Sequence, residues 1–169
     1  MANKTWSSFT RKIIIHATPE HIYPQWATSA GIEKWFLRSC TYISASGTTR
    51  KPDELVQASD QFSWKWHNWP DEEKGKILTA NHPTELTWTF AGSQVTLHLE
   101  AREESTLVTL TQELIPTDDK SKMNIYYGCG TGWTFWLTNL KAYLEHKITL
   151  HHKNPDMMGK HDGFEFVNM

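Results

Sequence analysis

A change of hydrophobic period divides this chain into two parts. Apolar and polar residues alternate along 62–66, 95–101 and 108–114, among other short runs. Period-two alternation is typical of strands that bury one face and expose the other. The turns between these runs are short, which favours antiparallel neighbours over crossover connections. The runs therefore predict an antiparallel sheet, with Ala101 and Leu114 on its buried face.

After Pro116 the apolar residues repeat with helical spacing. The positions that carry this repeat are Trp133, Trp136, Leu137, Leu140, Leu144 and Ile148. This spacing predicts one long amphipathic helix near 123–150. The apolar face of a sheet must be covered by another element, and this helix is the longest one available. We therefore expect the sheet to curve around it.

The N-terminal part predicts one strand followed by two short helices. Residues 9–16 are rich in β-branched side chains, which favours a strand. Thr18 and Pro19 are typical of a helix start, and Ile22, Tyr23 and Trp26 follow at helical spacing. A second short helix is predicted over 30–37 and a further strand near 39–44. The predicted class is α+β.

Length and charge limit the organisation and the partners. The chain has 169 residues, which corresponds to one domain, and we assign it to 1–150 with a C-terminal tail over 151–169. Lysine and arginine total 17 against 19 acidic residues, so the basic excess typical of nucleic-acid binding is absent. The sequence contains neither an apolar leader nor an apolar run long enough for a membrane span. We expect a soluble cytoplasmic protein that binds no nucleic acid.

Four segments, in this order and spacing, resemble a known family. They are TPEHIYPQWATSAGIEKWF (18–36), GKILTANHPTELTWTF (75–90), VTLHLEAREESTLVTLTQELIP (95–116) and GWTFWLTNLKAYLE (132–145). Over residues 9–147 the chain is similar to the helix-grip superfamily of the birch-pollen allergen and START-type lipid-binding domains. Within it, the chain resembles the bacterial branch named for the C-terminal domain of the activator of Hsp90 ATPase. This resemblance implies a helix-grip fold with a cavity between sheet and helix, and it leaves a chaperone partner open.

Nine tryptophans in one small domain form the strongest functional signal. Strand alternation and helix spacing direct aromatic side chains of the sheet and of the long helix toward each other. Ligand sites are apolar concavities with a few polar anchors, and Gln112 is the candidate anchor. The alternative is a fully packed aromatic core without a ligand. The predicted ligand-binding residues are Trp35, Phe36, Trp64, Trp66, Trp88, Phe90, Gln112, Trp133, Trp136, Leu137 and Leu140.

The histidines favour neither a metal site nor acid–base catalysis. His146, His151 and His152 cluster near the end of the long helix without an accompanying carboxylate motif. His98 and Glu100 alternate with inward-facing leucines and are therefore predicted to face solvent. We expect no metal ligands, no catalytic residues and no cofactor.

The glycine-rich run GCGTG (128–132) does not have the context of a phosphate-binding loop. It does not follow a strand in a β-α-β unit, and no Lys-Ser or Lys-Thr pair follows it. Its glycines weaken the helix start or permit a close approach of the helix to the sheet. Cys129 within it is predicted to be a buried, unreactive thiol.

Three functions remain open at this stage. The first is a binding domain that holds a small hydrophobic or aromatic molecule between sheet and helix. The second is a cyclase- or hydratase-like enzyme in the same pocket, which requires an ionisable group against the ligand. The third is a co-chaperone or regulatory interaction module, with an exposed apolar patch to which Phe164 and Phe166 of the tail contribute, and with homodimer formation.

Overall fold

A computed structural model describes residues 5–157 and 166–168. It confirms the α+β class: one strand and two short helices are followed by six strands and a long helical segment. The strands are β1 (Phe9–Ile15), β2 (Ser39–Ile43), β3 (Gln61–Lys65), β4 (Glu72–Asn81), β5 (Glu85–Phe90), β6 (Ser93–Ala101) and β7 (Thr106–Glu113). The helices are α1 (Pro19–Ala27), α2 (Ser29–Trp35), α3 (Asp119–Ser121), a π-helix (Lys122–Cys129), α4 (Gly130–His146) and a 3₁₀ turn (Pro155–Met157).

All seven strands belong to one antiparallel sheet. Its order is β1-β7-β6-β5-β4-β3-β2, so strands β2 to β7 form a meander and β1 adds to the far edge. The turn between β5 and β6 contains only Ala91 and Gly92, whose φ angles of 49° and 70° are typical of a type I′ hairpin. The predicted antiparallel sheet is confirmed.

The inner face of the sheet follows the predicted alternation, with two exceptions. Val95 and Leu97 are buried, and the residues between them are less so. Ala101 is exposed because it is the last residue of β6, at the margin of the sheet. Leu114 lies just beyond β7 and is 70% exposed, because its φ of 60° breaks the alternation. The predictions for Ala101 and Leu114 were therefore wrong.

The two short helices close one end of the molecule through a tight contact. Thr28 caps α2, since its hydroxyl accepts a hydrogen bond from the Gly31 amide at 2.9 Å and donates one to the Pro24 carbonyl at 2.7 Å. A Cβ atom at Gly31 would lie 2.1 Å from that same carbonyl oxygen. A glycine is therefore required where α1 and α2 meet.

The predicted single helix over 123–150 consists of two different helices. Residues 122–129 form the π-helix, and α4 follows directly to His146. The change of pitch falls between Cys129 and Gly130, within the GCGTG run, where glycine leaves the backbone least restricted. Lys147 has a φ of 60° and ends α4, so Ile148 lies outside the helix and is 52% exposed. The prediction that Ile148 belongs to the apolar helix face was wrong.

The chain docks back onto the domain after α4. The backbone amide of Leu150 donates to the side-chain oxygen of Asn139 at 2.6 Å. His151 is buried, and the Asn68 side chain donates to the His152 carbonyl. This segment therefore covers the end of the core. Phe164 lies outside the described residues.

Candidate functional site

Aromatic side chains from α2, the sheet and α4 meet in one buried cluster. The rings of Phe36 and Trp136 lie 4.0 Å apart between centroids, and those of Trp64 and Trp136 lie 5.6 Å apart. The predicted residues that are buried in or around this cluster are Trp35, Phe36, Trp64, Trp88, Trp133, Trp136, Leu137 and Leu140. The prediction that aromatic side chains of the sheet and of the long helix face each other was therefore correct.

Trp26 of α1 lies at the centre of the cluster and was absent from the predicted set. Its ring stacks on Trp136 with centroids 5.5 Å apart and contacts Trp35 at 5.1 Å and Trp88 at 5.7 Å. The helical spacing of Ile22, Tyr23 and Trp26 placed it on a buried face, but only the packing of α1 shows that it fills the space between the walls. The tryptophans consequently interlock over most of their extent.

Open space remains at one side of the cluster, between β5, the π-helix and α4. This pocket has a volume of about 200 Å³. Its lining residues are Phe90, Asn124, Gly128, Cys129, Gly132, Trp133 and Trp136. Phe90, Trp133 and Trp136 belong to the predicted ligand-binding residues. The other predicted ligand-binding residues do not line this pocket.

Gly132 keeps the pocket open. A Cβ atom built on it would meet no other atom within 4 Å. A side chain at this position would therefore start in free space beside the pocket. From the sequence, the glycines of the GCGTG run indicated a weakened helix start or a close approach of the helix to the sheet. Their contribution to a pocket wall is visible only in the structure.

Gln112 is fully buried, and both ends of its amide are engaged. Its nitrogen donates to the Ser93 hydroxyl at 2.7 Å, and its oxygen accepts the indole N–H of Trp133 at 2.7 Å. The side chain thus holds one pocket wall in a fixed orientation. Direct contact of Gln112 with a ligand stays a prediction.

Trp66 and Phe90 lie at the margins of the cluster. Trp66 follows the last residue of β3 and is half-buried, while Phe90 ends β5 and contacts Trp133 at 4.9 Å. Trp66 packs against the core but does not line the pocket. Its predicted ligand contact stays a prediction.

Comparison with known proteins assigns the family. The model of the family described as Activator of Hsp90 ATPase homolog 1-like protein (AHSA1) matches residues 16–145, more than half of the chain. The chain belongs to this family. No curated protein sequence matches it.

Several solved structures share this fold, and one of them is an Aha1 protein. Protein SSP2350 from Staphylococcus saprophyticus has a TM-score of 0.65 and 19% identity, and the match covers 84% of this chain and 94% of that one. The Aha1 dimer from Colwellia psychrerythraea has a TM-score of 0.65 and 21% identity, covering 82% and 96%. CalU16 from Micromonospora echinospora has a TM-score of 0.60 and 19% identity, covering 83% and 77%. At these identities the likeness establishes the helix-grip fold.

The pocket of this AHSA1 chain offers little acid–base chemistry. Burial raises the pKa of the Cys129 thiol to about 11, so the thiol is neutral near pH 7. Among the described lining residues, Cys129 is the sole ionisable group. A cyclase or hydratase would need a proton donor or acceptor against its substrate.

The remaining candidate residues lie away from the pocket. His98 and Glu100 are exposed, as predicted. His151 is buried, and burial lowers its pKa to about 4, so it is neutral at physiological pH.

Within residues 5–157 and 166–168, no group of three or more His, Cys, Asp or Glu side chains is arranged to hold a metal ion. In that same part of the chain, no helix has the length and apolar character of a membrane span.

Proposed function

We propose that this protein binds a small apolar or aromatic molecule in the pocket between Phe90, Trp133 and the π-helix. The observation that carries the proposal is the 200 Å³ space left open at Gly132 beside an otherwise interlocked aromatic cluster. Its size fits a ligand of one or two rings better than a sterol or a long acyl chain.

The driving force would be the removal of apolar surface from water. Each Å² of buried apolar ligand area contributes about 25 cal/mol. Ring contacts with Trp133 and Trp136 would add orientation preference, since aromatic pairs favour edge-to-face and offset geometry. The hydrogen bond from Trp133 to Gln112 holds one of these rings ready before binding, which reduces the entropy lost on association.

The π-helix is the element through which a ligand would enter. It supplies Asn124, Gly128 and Cys129 to the pocket lining. A run of eight residues in π geometry is long for this rare helix type, and π segments concentrate at functional sites.

A calorimetric titration with 1-naphthol tests the proposal. We expect saturable binding to the wild type and an affinity at least about tenfold lower for Gly132→Leu, because the added side chain occupies the pocket. Ala142→Leu is the matched control, since Ala142 is a partly exposed position of α4 that does not line this pocket. Circular dichroism establishes that each variant is folded.

Decanoate and a sterol extend the titration to larger ligands, which we expect to bind more weakly than the bicyclic probe. Absence of saturable binding for every probe would refute the proposal. So would equal affinity of the wild type and Gly132→Leu.

An interaction module is the second candidate function, and an exposed aromatic patch favours it. We define the patch as Trp6, Leu114, Met123 and Tyr127, which are exposed by 38%, 70%, 57% and 51%. The rings of Trp6 and Tyr127 lie 5.7 Å apart between centroids, and the amide of Ile115 donates to the Ser7 carbonyl, which joins the backbone next to Leu114 to the backbone next to Trp6. Exposed apolar patches are typical of protein-binding surfaces. The occupant we propose is a second copy of this chain, because the Aha1 protein from Colwellia psychrerythraea is a dimer.

A further inference from the structure

A second cleft lies on a different face of α4, between that helix and strand β1. Its volume is about 400 Å³. It is lined by Arg11, Gly130, Thr131, Thr134 and Thr138, and Phe135 and Val167 contribute apolar surface. None of these residues lines the pocket beside Trp133.

Arg11 occupies an unusual place for a cation. It alternates with Phe9 and Ile13 on the helix-facing side of β1, and it is half-buried. A Cβ atom at Gly130 would lie 2.9 Å from its Nη2 atom, so the absent side chain of Gly130 provides room for the guanidinium. The fold thus accommodates a positive charge between the sheet edge and the helix.

Neutral groups hold Arg11 in position. Its Nε donates to the Gly130 carbonyl at 3.2 Å and to the Thr134 hydroxyl at 3.0 Å, and its Nη1 donates to the Thr10 carbonyl at 3.1 Å. The guanidinium also lies 5.1 Å from the ring centroid of Phe9. These contacts fix its orientation but leave its charge uncompensated.

In the part of the chain that the structure describes, Arg11 has no carboxylate within salt-bridge distance. The hydrogen bonds above leave Nη2 and one hydrogen of Nη1 available as donors. The nearby hydroxyl of Thr131 is exposed on the same cleft. A partly buried charge without a counter-ion favours binding of an anion.

We propose that this cleft binds a monocarboxylate with a short apolar body, its head group on Arg11 and Thr131 and its body against Phe135 and Val167. One guanidinium compensates a single negative charge. Lys141, a cation of α4 that reaches the Ile14 carbonyl of β1, is already paired with Glu145 at 2.6 Å. The planar guanidinium fits the two oxygens of a carboxylate, and the apolar surface of the cleft matches an aliphatic or aromatic tail.

Titration of the wild type with hexanoate, 1-hexanol and inorganic phosphate tests this second site. The readout is the ¹H–¹⁵N NMR shift of the Arg11, Thr138 and Val167 amides, which belong to the cleft and are not adjacent in sequence to any residue that lines the pocket beside Trp133. We expect saturable shifts with hexanoate, and an affinity at least about tenfold higher than that of 1-hexanol or phosphate, because only hexanoate meets both the charge and the apolar surface.

Arg11→Met removes the charge and keeps an apolar stem, and we expect it to weaken hexanoate binding by about tenfold or more. Arg102→Met is the matched control, because Arg102 is an exposed arginine paired with Glu100 at 3.0 Å. Binding of hexanoate to Arg11→Met as tight as to the wild type would overturn the proposal. If that variant does not fold, equal affinity of 1-hexanol and hexanoate for the wild type overturns it equally well.

Discussion

Two glycines of this chain, Gly75 and Gly132, differ in the space that their surroundings leave for a side chain. At Gly75, in the centre of the sheet, a Cβ atom would lie 2.4 Å from the Phe62 ring and 2.7 Å from the Thr89 carbonyl oxygen. At Gly132, in the first turns of α4, the same atom would meet open space. At Gly75 the Phe62 ring packs directly on the backbone, whereas at Gly132 the missing side chain leaves space beside the pocket.

These two positions give a paired prediction for stability. Gly75→Ala should lower the free energy of unfolding by about 1–3 kcal/mol, because neither the Phe62 ring nor the β5 backbone can withdraw without disturbing the core. Gly132→Ala should raise it by about 0.5–1 kcal/mol, since alanine favours a helix and meets no obstacle. Urea unfolding followed by circular dichroism measures both. A stabilising Gly75→Ala would show that the sheet is more loosely packed than its geometry indicates.

At the scale of elements, the segment after α4 is held to the core by a buried polar contact. Asn139 of α4 donates to the Trp35 carbonyl at 2.5 Å and lies 3.3 Å from Nδ1 of His151. The His151 ring also packs on Phe36 at 5.4 Å and on His67 at 5.2 Å. Protonation of Nδ1 would turn it into a donor that faces the Asn139 amide, so the docked segment requires a neutral imidazole.

The stability of the fold should therefore fall in mild acid. Burial, together with the positive charge of Lys153 and the neighbouring His67, lowers the pKa of His151 from 6.5 to about 4. Above pH 6.5 both the folded and the unfolded chain carry the neutral form, and this group has no effect. As the pH falls from 6.5 toward 4, the unfolded chain binds a proton that the folded chain does not, which costs about 2–3 kcal/mol.

The free energy of unfolding in urea at pH 7.5 and at pH 4.5 tests this, with His151→Leu as the comparison. We expect the wild type to lose about 2 kcal/mol more than the variant over this interval. His67→Gln is the second comparison, because burial also lowers the pKa of His67 and its contribution must be separated. An identical loss in the wild type and in His151→Leu would contradict the assignment.

At the scale of the whole molecule, we compare two surfaces for self-association: the edge strand β1 and the exposed aromatic patch. Side chains of α4 cap the C-terminal end of the edge strand β1: Lys141 donates to the Ile14 carbonyl at 2.8 Å, and the amide of His16 donates to Glu145 at 2.8 Å. A covered edge resists pairing with another strand. The aromatic patch of Trp6, Leu114, Met123 and Tyr127 carries no such cover among the described residues, so it is the surface we expect a second copy to use.

Light scattering coupled to size-exclusion chromatography measures this association. We expect the wild type to have the mass of a dimer, and the double variant Met123→Ser with Tyr127→Ser to have the mass of a monomer. Ile14→Ser is the matched control, because Ile14 is a comparably exposed apolar residue on β1 outside the patch. A monomeric wild type, or a dimer that survives the double variant, would exclude this surface.

Several outcomes could be predicted from local patterns because they depend on backbone geometry. The alternation along β6 and β7 fixed which side chains face inward, and the helical repeat placed Trp133 and Trp136 toward the sheet. Leu114 and Ile148 departed from these patterns because a positive φ, at Leu114 itself and at Lys147, ended the repeat early. A hydrophobic repeat shows which residues share a face, but it does not show at which residue the strand or helix ends.

By itself, the sequence determined the class, the antiparallel sheet and the two aromatic walls, since each follows from a repeat of two or 3.6 residues. Only the tertiary structure decided that Trp26 fills the space between those walls, that the remaining pocket opens at Gly132, and that Arg11 lies beneath Gly130. These features depend on how elements distant in sequence approach one another. That approach is set by side-chain volumes across the whole core, which no local pattern contains.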